Sequence, residues 1–236
     1  MTNIARYIDH TLLRPDATES DIKKLCEEAN EYGFASVCVA PTWISKAAKY
    51  AKVPITTVAD FPHGNALRSD RTNSFRRYPV FGASEIDIVI NMGDVKSDRW
   101  DGIEGELVYI DQLNQYPKEN WGRKLTFKYI VEVGYLTDAE LYKIADLLIK
   151  YKIDFIKTCT GYGPRGVTVE DITKIKKYVG DRIKIKASGG IKTYDFCRQL
   201  IEAGADRIGC SNSINIVKES SENGQGNRVV ESSGAY

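Results

Sequence analysis

Histidine is nearly missing from this chain. Its 236 residues hold two, His10 and His63, with no HxH or HExxH pairing. A metal-dependent reaction therefore has few nitrogen ligands to draw on, and no metal is expected. Cysteine is sparse and odd in number. Cys26, Cys38, Cys159, Cys197 and Cys210 lack CxxC spacing, which argues against a zinc or disulfide framework and reads as the reduced thiols of a cytoplasmic protein. No apolar run approaches the ~20 residues of a membrane span. The opening MTNIARYIDHTLLRP carries charge where a signal peptide would be apolar. Charge of either sign is in no surplus, 33 basic against 32 acidic residues, so nucleic acid and anionic membranes are not expected partners.

What the chain does hold is apolar residues, at 42%, enough for a large core in one domain near the size of a (β/α)₈ barrel. Short apolar runs alternate with longer amphipathic ones, the pattern of parallel βα units. Eight strands are expected at Tyr7–Thr11, Ser36–Ala40, Ile55–Asp60, Glu85–Asn91, Thr126–Val133, Asp154–Thr158, Ile183–Ala187 and Asp206–Ser211, the first being short and polar. Eight such strands favour an α/β fold closed as a single TIM barrel over an open sheet. Thr18 or Ser20 can cap a helix with Ile22, Leu25 and Ala29 on one face, ended by Gly33. Thr137, Thr168 and Thr193 open three more. The stretch 65–82 reads as irregular, and Pro79 should end or kink any helix there. The barrel domain is read as 1–219. From Ser220 onward, residues 220–236 are polar and Gly/Ser-rich and read as a mobile tail.

In this barrel class the functional groups sit at the carboxyl ends of the strands. Three charged residues interrupt apolar strands: Asp87 in EIDIVIN, Lys157 in DFIKTCTG and Lys186 in IKIKASGG. Burying such charges without partners costs several kcal/mol each, so their presence on neighbouring strands suggests a site. An amine attacks a carbonyl only when neutral, and a free lysine titrates near 10.4. A second ammonium ~4 Å away opposes protonation by about 4 kcal/mol at an effective dielectric of 20, roughly three pKa units, and desolvation acts in the same direction. The effect is mutual, so electrostatics alone leaves open which lysine is the nucleophile. Asp87 would relay protons. Asp9 could hydrogen-bond Lys186 and keep it charged, or serve as a helix cap or surface carboxylate.

Phosphate is often held in such barrels by the loops after strands seven and eight. Here these read SGGI from Ser188 and GCSNS from Gly209, with Gly161 able to add an amide. Tyr236 could swing over the mouth on its tail and assist proton transfer.

These residues resemble the 2-deoxyribose-5-phosphate aldolase family, class I Schiff-base aldolases, from Ile8 to about Val217. The similar stretches are IDHTLL at 8–13, SVCVAP at 36–41, FPHG at 61–64, EIDIVINMG at 85–93, FIKTCTGYGP at 155–164, KASGGIKT at 186–193 and GADRIGCSN at 204–212. The resemblance implies a Schiff base on Lys157, activation by Lys186 and proton relay by Asp87. It implies phosphate binding by Gly189, Gly190 and Ser211. The implied reaction is reversible cleavage of 2-deoxy-D-ribose 5-phosphate to acetaldehyde and D-glyceraldehyde 3-phosphate, with no cofactor. Arg165, Cys210 and Asn212 depart from the usual family pattern around the rim and phosphate loop. Two alternatives remain: a Schiff-base aldolase of this fold for another sugar phosphate, and a phosphosugar-binding barrel without turnover. The partner is a small sugar phosphate, and a homo-oligomer, dimer or higher, is expected.

Overall fold

Of the two candidate caps for the first helix it is Thr18 that acts, and Thr137, Thr168 and Thr193 each start a helix as expected. In the computed structural model, which describes residues 3–115, 122 and 124–231, the Thr18, Thr137 and Thr168 hydroxyls accept from the backbone three residues on. Asp21, Glu140 and Asp171 return the bond, completing capping boxes. Thr193 caps with its hydroxyl alone. These caps open α1 (Glu19–Tyr32), α6 (Asp138–Lys150), α7 (Val169–Val179) and α8 (Tyr194–Glu202). Each lays an apolar stripe on the sheet; α1 buries Ile22, Leu25 and Ala29 and stops where Gly33 turns left-handed. The other helices are α2 (Ile44–Tyr50), α3 (Arg68–Arg77), α4 (Met92–Lys96), α5 (Trp100–Gln115) and α9 (Ser213–Glu231).

Eight parallel strands close into a barrel in sequence order: β1 (Ile8–Leu12), β2 (Ser36–Val39), β3 (Ile55–Ala59), β4 (Glu85–Val89), β5 (Thr126–Ile130), β6 (Phe155–Lys157), β7 (Lys184–Ser188) and β8 (Arg207–Cys210). All eight expected strands form; β1 and β7 are each shifted one residue towards the C-terminus and the other six are trimmed by one to three residues at one end or both. The short, polar first one pairs with both β2 and β8 and closes the cylinder. This is the (β/α)₈ barrel. Among the described residues no helix is long and apolar enough to cross a membrane, and the five cysteines are free and buried.

One segment differs from the sequence reading. The stretch read as irregular holds a ten-residue helix, α3, followed by a 3-10 turn at Tyr78–Phe81 that contains Pro79. Its inward residues are Arg71 and Phe75, one helical turn apart. A buried arginine breaks apolar periodicity, so the pattern that signals a helix is absent from the sequence. Four of the five Arg71 donors are paired: Glu106 takes two at 2.6 and 2.9 Å, Asp60 takes one at 2.5 Å and the Val89 carbonyl another at 2.6 Å. At the other end of the chain, the backbone of α9 stays helical past Ser220 to Glu231. Extending a formed helix costs far less than starting one, which lets a polar segment without periodicity follow on. Glu219 at that boundary accepts from the Tyr194 amide at 2.7 Å and ties α9 to α8. Tyr236 lies outside the described residues.

Candidate active site

Strand register sets up the site. Neighbouring residues in a parallel ladder point to the same side, and the ladder pairs Lys157 with Lys186 across β6 and β7, Lys186 with Arg207 across β7 and β8, and Asp87 with Lys128 across β4 and β5. All of these turn inward. Lys157 Nζ and Lys186 Nζ both donate to one oxygen, Asp87 Oδ2, at 2.8 and 2.7 Å. Lys186 also pairs with Asp9 Oδ2 at 2.6 Å. Asp9 therefore occupies the position beside Lys186 that the sequence allowed it, rather than a helix cap or the surface.

Sequence reasoning missed the rest of the cluster. Lys128 Nζ donates to Asp87 Oδ1 at 3.1 Å and contacts Glu85 Oε2. Arg207 comes up from below to Asp9 Oδ1 at 2.6 Å. Ser36 donates to the same Asp9 oxygen at 2.7 Å, and Thr56 donates to Glu85 at 2.9 Å. Lys128, flanked by Phe127 and Tyr129 in TFKYI, carried the same signal as the lysines that were noticed, a charge inside an apolar strand. The connected set holds four basic side chains, Lys128, Lys157, Lys186 and Arg207, against three acidic ones, Asp9, Glu85 and Asp87. Parity is reached when one base is uncharged.

The surroundings select which. Burial pushes the Lys157 amine below its ordinary range; the Asp87 charge opposes this and the Lys186 charge assists it. Burial acts on Lys186 in the same direction, but Asp87 and Asp9 outweigh it and hold that ammonium above its ordinary range. The symmetry that sequence could not break is thus broken by the second carboxylate. Asp87 is desolvated yet stays below the usual carboxylate range beside Lys128, Lys157 and Lys186. Asp9 does the same under Lys186, Lys128 and Arg207. Each carboxylate of this cluster is engaged by a cation, so the cluster is built around amines. Cys38, beneath the lysines, is a neutral thiol, pushed up to about 11 by burial and by Asp87.

Above the cluster lies a cavity of about 400 Å³ whose lining includes Lys157, Gly161, Gly189, Gly190 and Ser211. One opening thus joins the amine to all four residues expected to bind phosphate. Gly189 and Gly190 are both left-handed, at φ 95° and 78°, a pairing that turns successive amides toward one side and suits only glycine. Their amides and that of Gly161 make no hydrogen bond among the described residues. Gly209 serves differently: a Cβ there would lie 3.0 Å from Lys186 Cε, so its absence makes room for the lysine stem. Lys192 also lines the cavity and is in no ion pair among the described residues. Arg165, at the expected rim, turns away and is held by Asp171 at 2.6 and 2.9 Å. His63 borders a neighbouring cavity of about 270 Å³.

The parallel barrel thus carries a buried lysine beneath a glycine-lined cavity, an arrangement suited to a barrel enzyme acting on a small phosphorylated substrate. The family profile described as DeoC/LacD family aldolase matches residues 3–218, and the chain belongs to that family. It is similar to the deoxyribose-phosphate aldolase of Caldanaerobacter subterraneus subsp. tengcongensis, 41% identical over 96% of this chain and 97% of that one. Among solved structures it is similar to an aldolase described as QR15, with a TM-score of 0.88, 36% identity and coverage of 95% of this chain and 99% of that one. It also resembles a deoxyribose phosphate aldolase from Aeropyrum pernix described as having a unique tetrameric structure, with a TM-score of 0.81, 27% identity and coverage of 93% and 92%.

Proposed function

We propose that this enzyme reversibly cleaves 2-deoxy-D-ribose 5-phosphate to acetaldehyde and D-glyceraldehyde 3-phosphate through a Schiff base on Lys157. The observation that carries this reading is the sharing of one Asp87 oxygen by Lys157 and Lys186, with only the former lining the cavity. The aldolase relatives supply the substrate class, and they disfavour both another sugar phosphate and a barrel without turnover.

The chemistry follows from the contacts. The neutral Lys157 nitrogen attacks C1 of the open-chain sugar, and the proton it sheds on bonding passes by way of Asp87 Oδ2 to the new C1 oxygen, giving the carbinolamine. The carbinolamine hydroxyl takes up a proton from solvent through the same relay and leaves as water, with a protonated imine remaining. The C2–C3 bond then breaks and its electron pair moves into the imine nitrogen, while the C3 hydroxyl gives up its proton to leave as an aldehyde. The enamine takes a proton at C2, and hydrolysis frees acetaldehyde and regenerates the amine. Asp87 is the relay group closest to this nitrogen; Lys186, kept charged by Asp9, keeps the nucleophile deprotonated. The phosphate is received by the amides of Gly161, Gly189 and Gly190, by Ser211 and by the charge of Lys192. No metal or organic cofactor enters this scheme. The working form is a homo-oligomer in the cytoplasm; the oligomer is supported by the tetrameric description of the Aeropyrum relative. Incubation with substrate and borohydride, followed by peptide mapping, tests the scheme. A reduced adduct on Lys157 supports it; an adduct on Lys186, or none, overturns it.

A further inference from the structure

Glu132 follows β5 by two residues and is not accounted for by the chemistry above. It combines three unusual features. Its backbone is left-handed, φ 51°, a conformation that costs a side-chain-bearing residue about 1–3 kcal/mol and persists where its surroundings enforce it. Its carboxyl is buried, with 5% of the residue exposed. One oxygen, Oε1, is buried and has no hydrogen-bond donor among the described residues.

The other oxygen explains the arrangement. Glu132 Oε2 accepts from the Thr160 amide at 3.0 Å and also from the Thr160 hydroxyl. That hydroxyl oxygen in turn accepts from the Tyr162 amide at 3.0 Å. The amides on either side of Gly161 are therefore both tied back to one carboxylate oxygen. Gly161 itself, at φ 91°, is left with its N–H unbonded and lines the cavity beside Lys157. The loop is seated closely on its anchor, since a Cβ at Gly163 would come within 2.5 Å of the Glu132 carboxyl and one at Gly134 within 2.8 Å of Pro164. Lys157 does not depend on this anchor, because the β5–β6–β7 ladder and Asp87 hold it.

We propose that Glu132 is a positioning residue for the sixth loop: by binding Thr160 it aims the Gly161 amide into the cavity, and so sets the preference for a phosphorylated over an unphosphorylated sugar. This rests on the reading of Gly161 as a phosphate donor. It makes Glu132 a determinant of substrate choice that touches neither the amine nor the substrate.

The test compares kcat and KM for 2-deoxyribose 5-phosphate and for 2-deoxyribose in the wild type, Glu132→Ala, Glu132→Gln and Thr160→Val. Loss of a hydrogen bond to a charged group is worth roughly tenfold or more. Glu132→Ala should therefore raise KM for the phosphorylated sugar by at least about tenfold, with kcat and turnover of the unphosphorylated sugar held within about twofold. Because both Thr160 donors fall on one oxygen, a Gln carbonyl can accept both, so Glu132→Gln should restore the preference. Thr160→Val should reproduce part of the loss, and it keeps the carboxylate should the alanine variant fail to fold. Borohydride trapping on Lys157 reports that the barrel is intact. Equal losses on both sugars, a fall in kcat alone, or a Gln variant as impaired as the Ala variant would overturn the inference. If the wild type does not distinguish the two sugars, the phosphate reading itself fails; if it does and Glu132→Ala keeps the distinction, only the role of Glu132 fails.

Discussion

Lys157 and Lys186 lie in register across β6 and β7 and meet on one oxygen of Asp87. They share a carboxylate, but only Lys186 has a second one, Asp9 at 2.6 Å. That difference assigns one lysine to chemistry and the other to charge.

Lys157→Met should abolish turnover, by at least ~1,000-fold in kcat/KM, equivalent to about 4 kcal/mol of transition-state stabilisation. The same change should raise thermal stability. The depressed Lys157 amine destabilises the fold wherever it is forced to carry a proton, and Asp87 keeps Lys186 and Lys128 when it is gone. The melting temperature should climb by about 2–4 °C for each kcal/mol relieved. A variant that is inactive and also less stable would contradict the electrostatic account; calorimetry alongside the assay decides.

Replacing the neighbour should move a pH limb. The Lys186 charge helps hold Lys157 below its ordinary range, so Lys186→Met should let the Lys157 pKa rise. The active form is the neutral amine, which is lost as pH falls through that pKa. The acid limb of kcat/KM should therefore shift to higher pH, with residual activity recovering as the solution is made alkaline. An unmoved limb in a folded Lys186→Met variant would show that Lys186 acts some other way.

Asp9→Asn should cost about 3–5 kcal/mol, since it strips a partner from two buried cations, Lys186 and Arg207. The sign with pH is specific. The folded-state pKa of Asp9 lies below its unfolded value of about 3.9, so its contribution is complete above that value and is lost as pH falls below it. Denaturant unfolding from pH 7 to pH 2 should show a shallower acid decline in the variant than in the wild type.

Gly190→Ala isolates backbone conformation in the phosphate loop. Its φ is 78°, yet an added Cβ would meet nothing closer than 3.8 Å. The penalty is then strain of about 1–2 kcal/mol rather than a clash. It should appear as a KM several-fold higher for the phosphorylated sugar with kcat little changed. A kcat effect equal to that of Lys157→Met would place Gly190 in the chemistry instead.

How much of this could be read beforehand follows from where each signal resides. Helix starts were legible because a cap is local: Thr18, Thr137, Thr168 and Thr193 each act on residues within one turn. Lys157, Lys186 and Asp87 stood out because a lone charge in a short apolar strand is conspicuous. Lys128 gave the same signal and was passed over, whereas Glu85, at the start of Asp87's own strand, and Arg207, at the start of β8, sit at strand margins and acquire meaning only when the barrel closes. Helix α3 was hidden by its own mechanism, an inward arginine where periodicity demands an apolar residue. Glu132 gave the signal of a charge within the expected strand Thr126–Val133, but its role was hidden because the strand ends at Ile130 and the residue's left-handed backbone angle is encoded by no residue pattern.

The four-to-three inventory of bases and acids in the barrel interior bears on the reaction coordinate itself. Resting enzyme with an unprotonated Lys157 is electroneutral inside. Once the proposed imine forms on that nitrogen, the interior carries one uncompensated positive charge in a medium that solvates it poorly. Moving the electrons of the C2–C3 bond onto nitrogen removes that excess and restores neutrality. The scaffold would then favour bond scission by being short of one anion, acting as an electron sink through what it withholds.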